Sequence, residues 1–127
     1  ITDAYFEKQS TTDYNGVYRG KYIDFEAKNT KNKSSLPLHN ITIHQIRHLE
    51  KVLKHGGIAF FIICFETLDV VYLLDASYVI DFFHNSTRAS IPTAFVIEKG
   101  IKVEQGYMPR LELLKAIDEA YFHEKNI

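Results

Sequence analysis

The stretch Ile23-Asp24-Phe25-Glu26-Ala27-Lys28 alternates apolar and ionisable residues without a break. Side chains two apart on a strand share a face. The pattern therefore predicts a half-buried strand, with Ile23, Phe25 and Ala27 toward a core. Asp24, Glu26 and Lys28 then stand together on the opposite side. Gly20 and its polar neighbours read as a turn, so Tyr14 to Tyr18 is expected to pair with this strand as a hairpin.

The rest of the chain supplies partners for that hairpin. Ile43, Ile46, Leu49, Val52 and Leu53 recur at spacings of three and four, which predicts a helix from about Thr42 to His55. Asn40 is the expected cap, and Gly56-Gly57 the stop. Ile58 to Phe65 and Val70 to Leu74 read as core strands, antiparallel around Thr67-Leu68-Asp69. Asp75 or Ser77 can cap a short helix through Phe83. Between Ser90 and Gln105, Ile91-Pro92 and Gly100 punctuate short apolar pieces, which suggests loop with one short strand near Ile101 to Val103. A final amphipathic helix is expected over Arg110 to His123, with Leu111, Leu114, Ile117, Ala120 and Tyr121 inward. Ile1 to Ser10 reads as a short helix or the end of one. Asn29 to Ser35 reads as a polar, basic loop, and Pro37 holds the chain after it extended. The order β-β-α-β-β-α-α predicts an α/β or α+β class with one mixed sheet.

Composition narrows the functional classes. A length of 127 residues with 46% hydrophobic content fits one domain. The net charge of -1 excludes an extended polybasic protein but leaves room for a local basic face. No apolar run approaches the roughly 20 residues that span a bilayer, the longest being Gly57 to Phe65, so no membrane association is expected. Cys64 is the only cysteine, which rules out an intrachain disulfide and a cysteine metal knuckle. Its place in the apolar run reads as an inert thiol in a reducing cytoplasm.

Asp13, Glu26 and Lys28 carry the chemistry. Glu26 and Lys28 lie about 6–7 Å apart along one strand face, and Asp13 precedes the neighbouring hairpin arm. Hard divalent cations such as Mg²⁺ take one or two protein carboxylates and keep several waters. Such an ion stabilises charge on an attacked phosphodiester and lowers the pKa of a bound water, while a lysine stabilises the phosphorane charge. These are the parts of phosphodiester hydrolysis. A carboxylate-x-lysine triplet arises about once by chance in a chain of this kind, so Glu26-Ala27-Lys28 alone is a weak signal.

The longer wording is more specific. The block Ser10-Thr11-Thr12-Asp13-Tyr14-Asn15-Gly16-Val17-Tyr18-Arg19-Gly20-Lys21-Tyr22-Ile23-Asp24-Phe25-Glu26-Ala27-Lys28-Asn29-Thr30-Lys31 resembles the signature of the RecU family of Holliday junction resolvases, part of the PD-(D/E)xK superfamily. The resemblance continues through Pro37-Leu38, His44-Gln45-Ile46-Arg47-His48, Gly56-Gly57, Tyr72-Leu73-Leu74-Asp75-Ala76 and Gly106-Tyr107-Met108-Pro109-Arg110-Leu111. It implies an α/β, restriction-endonuclease-like mixed β-sheet flanked by helices. It also implies a homodimeric, Mg²⁺-dependent endonuclease, with Mn²⁺ as a substitute, that nicks opposed strands of a four-way DNA junction during recombination and repair. By the same resemblance Thr11, Asp13, Glu26 and Gln45 are metal-site residues, and Lys28 is the transition-state stabiliser. RecA and RuvAB are the implied partners. The family's N-terminal segment and basic stalk have no counterpart here, and the chain opens on Ile1, so a trimmed single nuclease domain is expected over 1–127.

Arg19, Lys21, Lys31 and Lys33 join Lys28 to give a local basic excess, expected to grip DNA phosphates. Asp118, Glu119 and Glu124 suggest that the opposing surface is acidic. His44 and His48 have zinc-compatible spacing, but no third ligand or metalloprotease motif accompanies them. Tyr14, Tyr18 and Tyr22 read as packing residues, and Phe82, Phe83 or Tyr121 as candidates for a dimer surface. Two alternatives to the resolvase remain: a non-catalytic junction-binding module, and a related duplex-cutting nuclease.

Overall fold

The computed structural model describes residues 4–8 and 14–122, and the site positions Thr11 and Asp13 lie outside them. Among the described residues a six-stranded sheet runs in the order β1-β2-β3-β5-β6-β8. Its strands are β1 (Ala4–Lys8), β2 (Tyr14–Tyr18), β3 (Lys21–Thr30), β5 (Ile58–Phe65), β6 (Val70–Asp75) and β8 (Ile101–Lys102). β3 and β5 are parallel and every other pair is antiparallel. A separate ribbon pairs β4 (Ser35–Pro37) with β7 (Ser90–Pro92). The helices are α1 (Ile43–Lys54), α2 (Ala76–Asn85), α3 (Thr93–Lys99) and α4 (Pro109–Ile117), the last continued by a π-helical turn, Asp118–Phe122. This mixed, helix-flanked sheet is the expected restriction-endonuclease-like class.

The β2–β3 hairpin follows the sequence expectation. Tyr18 pairs with Lys21 across a two-residue turn in which Arg19 and Gly20 both have positive φ, 53° and 78°. A turn of this hand matches the strand twist.

Parallel pairing of β3 with β5 puts both strands inside the sheet and gives each two covered faces. On one face Phe61, Ile63, Phe65 and Leu74 pack with Ile46 and Leu49 of α1, Val79 of α2 and Val96 of α3. On the other, Tyr18, Ile23, Phe25, Phe60 and Leu73 pack with Leu114 and Ile117 of α4. Glu26 is paired with Phe61 and Asp24 with Ala59 in the β3–β5 register, so both carboxylates face α1.

Several expectations are corrected. Within the N-terminal segment the described residues Ala4–Lys8 form a strand and no helix, because β1 gains a ladder against β2 that an isolated short helix could not match, while the rest of 1–10 lies outside the described residues. The cap of α1 is Thr42; Asn40 instead closes the single 3₁₀ turn Leu38–Asn40. Ala27 is exposed, since the apolar cover on its face stops at Phe25. The expected loop at 90–105 contains β7 and α3, whose few residues are held by the β4 ribbon and by burial of Val96. Leu111 is also exposed, and α4 gives way to a π turn near Asp118, which shifts the buried face. The cap of α2 is Asp75, one of the two expected, which accepts the Ser77 amide at 3.0 Å. Apart from these corrections, Phe82 and Phe83 are half-buried against the first core and Tyr121 against the second.

Gly16 sits where β1 crosses β2. A Cβ there would fall 1.5 Å from the Tyr5 carbonyl oxygen, so only glycine permits this approach. Gly16→Ala is expected to lower stability by about 1–3 kcal/mol, read as a shift of the urea midpoint. An unchanged midpoint would show that β1 does not pack this closely.

Candidate active site between strand β3 and helix α1

The site is built on the β3 face covered by α1. Asp24 and Glu26 are both 0% exposed. A carboxylate taken out of water has to find hydrogen-bond donors, and α1 supplies them. Gln45 Nε2 donates to Glu26 Oε1 at 3.2 Å, and His48 Nε2 lies 2.7 Å from Asp24 Oδ2. Tyr22, two residues back on β3, donates its hydroxyl to the same Asp24 oxygen at 2.9 Å. Lys28 Nζ donates to the Asn40 carbonyl at 3.0 Å, just ahead of the helix. The order Asp24–His48, Glu26–Gln45, Lys28–Asn40 shows that α1 runs antiparallel to β3, with its N-terminus over Glu26 and Lys28.

Local sequence fixes Gln45. Thr42-Ile43-His44-Gln45 forms a capping box: the Gln45 amide N–H donates to Thr42 Oγ1, and Thr42 N–H donates to Gln45 Oε1, both at 3.1 Å. One amide group thus clamps the helix start with its oxygen and Glu26 with its nitrogen. Read as a helix residue, Gln45 looks like an ordinary exposed glutamine; the Thr-x-x-Gln spacing was the signal that its side chain turns back. Lys28 keeps two further N–H donors beyond the one given to Asn40.

Tyr22, Asp24 and His48 were not singled out as a group from sequence. Asp24 shares parity with Glu26, but only the fold brings His48 across from α1. Burial, followed by the acceptor and charge of Asp24, pushes the Tyr22 hydroxyl up to about 12, with Asn15 opposing. Among the described residues no group of three or more His, Cys, Asp and Glu side chains is arranged to hold a metal; His44 is exposed, and the His48 ring is engaged with Asp24. Cys64 is half-buried, and burial pushes its thiol up, which agrees with an inert role.

The basic residues divide between two ends of β3. Arg19 donates from Nε to Asp118 Oδ1 at 2.9 Å, and its guanidinium lies over Tyr18 and Phe122 at 5.3 and 5.9 Å. Tyr18 also donates to Asp118, so Arg19 ties the hairpin tip to the end of α4. Lys21 is exposed at the same end. Lys31 and Lys33 are exposed beyond the other end, which Lys28 shares. Ten residues of strand, about 33 Å, separate Lys21 from Lys31. One compact patch therefore cannot contain all four.

The described donors suit a hard cation. The Glu26 carboxylate is a hard oxygen ligand of the kind Mg²⁺ takes, whereas Gln45 turns Nε2 toward it and its amide oxygen toward Thr42. Direct ligation by Gln45 Oε1 competes with its bond to Thr42. β2 begins immediately after Asp13, and Tyr14 is paired with Phe25, the neighbour of Glu26.

Comparison with known proteins agrees with this architecture. The family described as Recombination protein U matches residues 1–119. A protein of Geobacillus kaustophilus (strain HTA426) named Holliday junction resolvase RecU is 52% identical over 125 residues, 96% of this chain and 62% of its own. The like-named proteins of Geobacillus sp. (strain WCH70) and Bacillus cereus (strain AH820) are 52% and 50% identical over the same shares. The chain therefore spans 62% of the length of these curated relatives.

Two outcomes test the site. His48→Leu deprives buried Asp24 of a donor and is expected to cost about 1–3 kcal/mol of stability, measured by urea unfolding. An unaltered midpoint would dismiss the contact. In an alkaline absorbance titration, Tyr22→Phe is expected to remove a tyrosine that ionises near pH 12. Its folded pKa lies above the unfolded value of 10.0, so the stability it contributes is whole below pH 10 and is lost as pH rises toward 12.

Proposed function

Because the chain belongs to the RecU family, we propose that it is a Mg²⁺-dependent endonuclease that resolves four-way DNA junctions by paired, symmetric nicks. The observation that supports this reading most directly is the alignment of Glu26, Gln45 and Lys28 along the junction of β3 with the α1 N-terminus. The relatives' printed name supplies the substrate class.

In this reading Glu26 and Asp13 are the charged ligands, and Thr11 and Gln45 complete the oxygen set. Mn²⁺ would substitute, being bound by the same donors. When bound, the ion supplies Lewis-acid stabilisation of the scissile phosphate and a lowered pKa for an attacking water. Gln45 fixes the Glu26 carboxylate through its Nε2 bond, so the ligand is oriented before the ion arrives. Lys28 shares the Glu26 face of β3 two residues on, with Asn40 restricting its long side chain. Its remaining N–H donors can meet the phosphate oxygen on which charge develops. In this reading Lys31 and Lys33, exposed past the end of β3, would hold the phosphates that continue from this point, while Lys21 and Arg19 would meet a more distant part of the substrate.

Two opposed cuts require two such sites, so the active species is a homodimer. RecA and RuvAB are the proposed partners in recombination and repair, and the cytoplasm the proposed location. No helix among the described residues is long and apolar enough to cross a membrane.

Glu26→Gln is expected to abolish cleavage of a synthetic four-way junction while leaving binding in Ca²⁺ within about threefold. Lys28→Met is expected to lower kcat by roughly 10²–10³-fold, the effect of removing a transition-state donor. Cleavage at the wild-type rate by either variant would refute these roles. Equal cutting of plain duplex and junction by the unaltered protein would point to a duplex nuclease.

A further inference from the structure

α1 carries a second feature, on the face turned away from its core. At about 100° per residue, His44, Arg47, His48, Lys51 and His55 fall within roughly 100° of one another around the helix. The buried residues Ile46, Leu49 and Val52 lie on the other side. His44, Arg47, Lys51 and His55 are exposed, and His48 edges the stripe with its ring directed to Asp24. Among the described residues neither Arg47 nor Lys51 has an ion pair. The only acid of α1, Glu50, points toward α2, where His84 Nε2 meets it at 2.9 Å.

Lys51 complements the dipole at the last turn of α1, but it stands four residues from another cation, Arg47. Like charges at spacings of three and four repel, and mixed signs would stabilise the same face. No carboxylate answers Arg47 and Lys51, so the natural counter-charge is external. The stripe extends about 16 Å along the helix axis from His44 to His55. Over that length one strand of a B-form arm presents about five phosphates. It also begins next to Gln45, so it is continuous with the candidate active site.

We infer that the α1 stripe is a phosphate-binding track for a duplex arm of the DNA substrate, with Arg47 and Lys51 as its principal contacts. The inference rests on the nuclease reading for the identity of the polyanion, but its geometry stands apart from the chemistry at Glu26. Phosphate contacts of this kind position a duplex and do not read its sequence. The track sets the direction in which an arm leaves the cleavage point.

The test measures junction binding by the whole protein in Ca²⁺ across 50–300 mM salt, with cleavage in Mg²⁺ alongside. Arg47→Gln/Lys51→Gln is expected to weaken binding about ten- to a hundredfold near 100 mM salt and to reduce the slope of log K against log salt by roughly 2. Cleavage under saturating DNA should fall less than threefold. Arg47→Lys/Lys51→Arg should restore both quantities, which a folding defect would not allow. Lys102→Gln/Lys115→Gln makes the same charge change on exposed residues at β8 and α4 and should leave the slope nearly unchanged. An unaltered slope in the α1 variant overturns the track while leaving the nuclease reading intact. Equal losses in both double variants also overturn it, in favour of general charge attraction. Loss of poly-glutamate binding without loss of DNA binding would overturn it in favour of an acidic protein partner. Failure of the unaltered protein to cut any DNA would sink the nuclease reading; the slope change in the α1 variant would still support the track.

Discussion

Two carboxylates buried in the middle of a sheet are the constraint around which this molecule is organised. β3 is flanked by β2 and β5 and covered on both faces, so Asp24 and Glu26 have no bulk water to solvate them. A buried acid left without donors would cost several kcal/mol. The fold meets that cost by laying α1 antiparallel across β3, with His48 and Gln45 three residues apart on the helix and matched to acids two residues apart on the strand. About 4.5 Å of helix rise spans roughly 6.6 Å of strand, a difference that side-chain reach absorbs. The two contacts together fix both the height and the rotation of the helix.

That docking links the core to the site. Ile46 and Leu49, which alternate with Gln45 and His48 along α1, anchor the helix on Phe61 and Ile63. The apolar and polar contacts therefore specify one position between them: a slip of the helix would unseat the core and strand the carboxylates at once. The capping box adds a third restraint at the end nearest Lys28. A side chain held this way keeps little freedom to lose, which is the condition that the proposed metal-ligand role would require.

The same arrangement engages several of the acids. Glu50 is drawn to His84 on the α2 side, Asp118 to Arg19 at the hairpin tip, and Asp24 is buried. With these acids engaged, the exposed face of α1 and the end of β3 retain mostly cations, although the chain as a whole has a net charge of only -1. Average composition conceals this local excess on α1. Arg19 illustrates the converse: in sequence it belongs to a basic cluster, yet its ion pair and ring contacts make it part of the scaffold.

What the sequence determined by itself was local. The alternation from Ile23 to Lys28, the turn at Gly20, the period of Ile46, Leu49 and Val52, and the run Ile58–Phe65 each encode an element through contacts between near neighbours, and those elements formed. The Glu26-x-Lys28 pair, and the family wording around it, were legible for the same reason. Tertiary structure decided what depended on distant partners. β1 became a strand because β2 offered it a ladder, and α3 formed where a ribbon and a core closed around seven residues. Asp24 and Glu26 became buried because β5 aligned parallel to β3 and brought α1 over them. Alternation announces that a strand has two different faces, but whether the polar face meets water or a helix depends on residues about twenty positions away, and no short-range pattern carries that information.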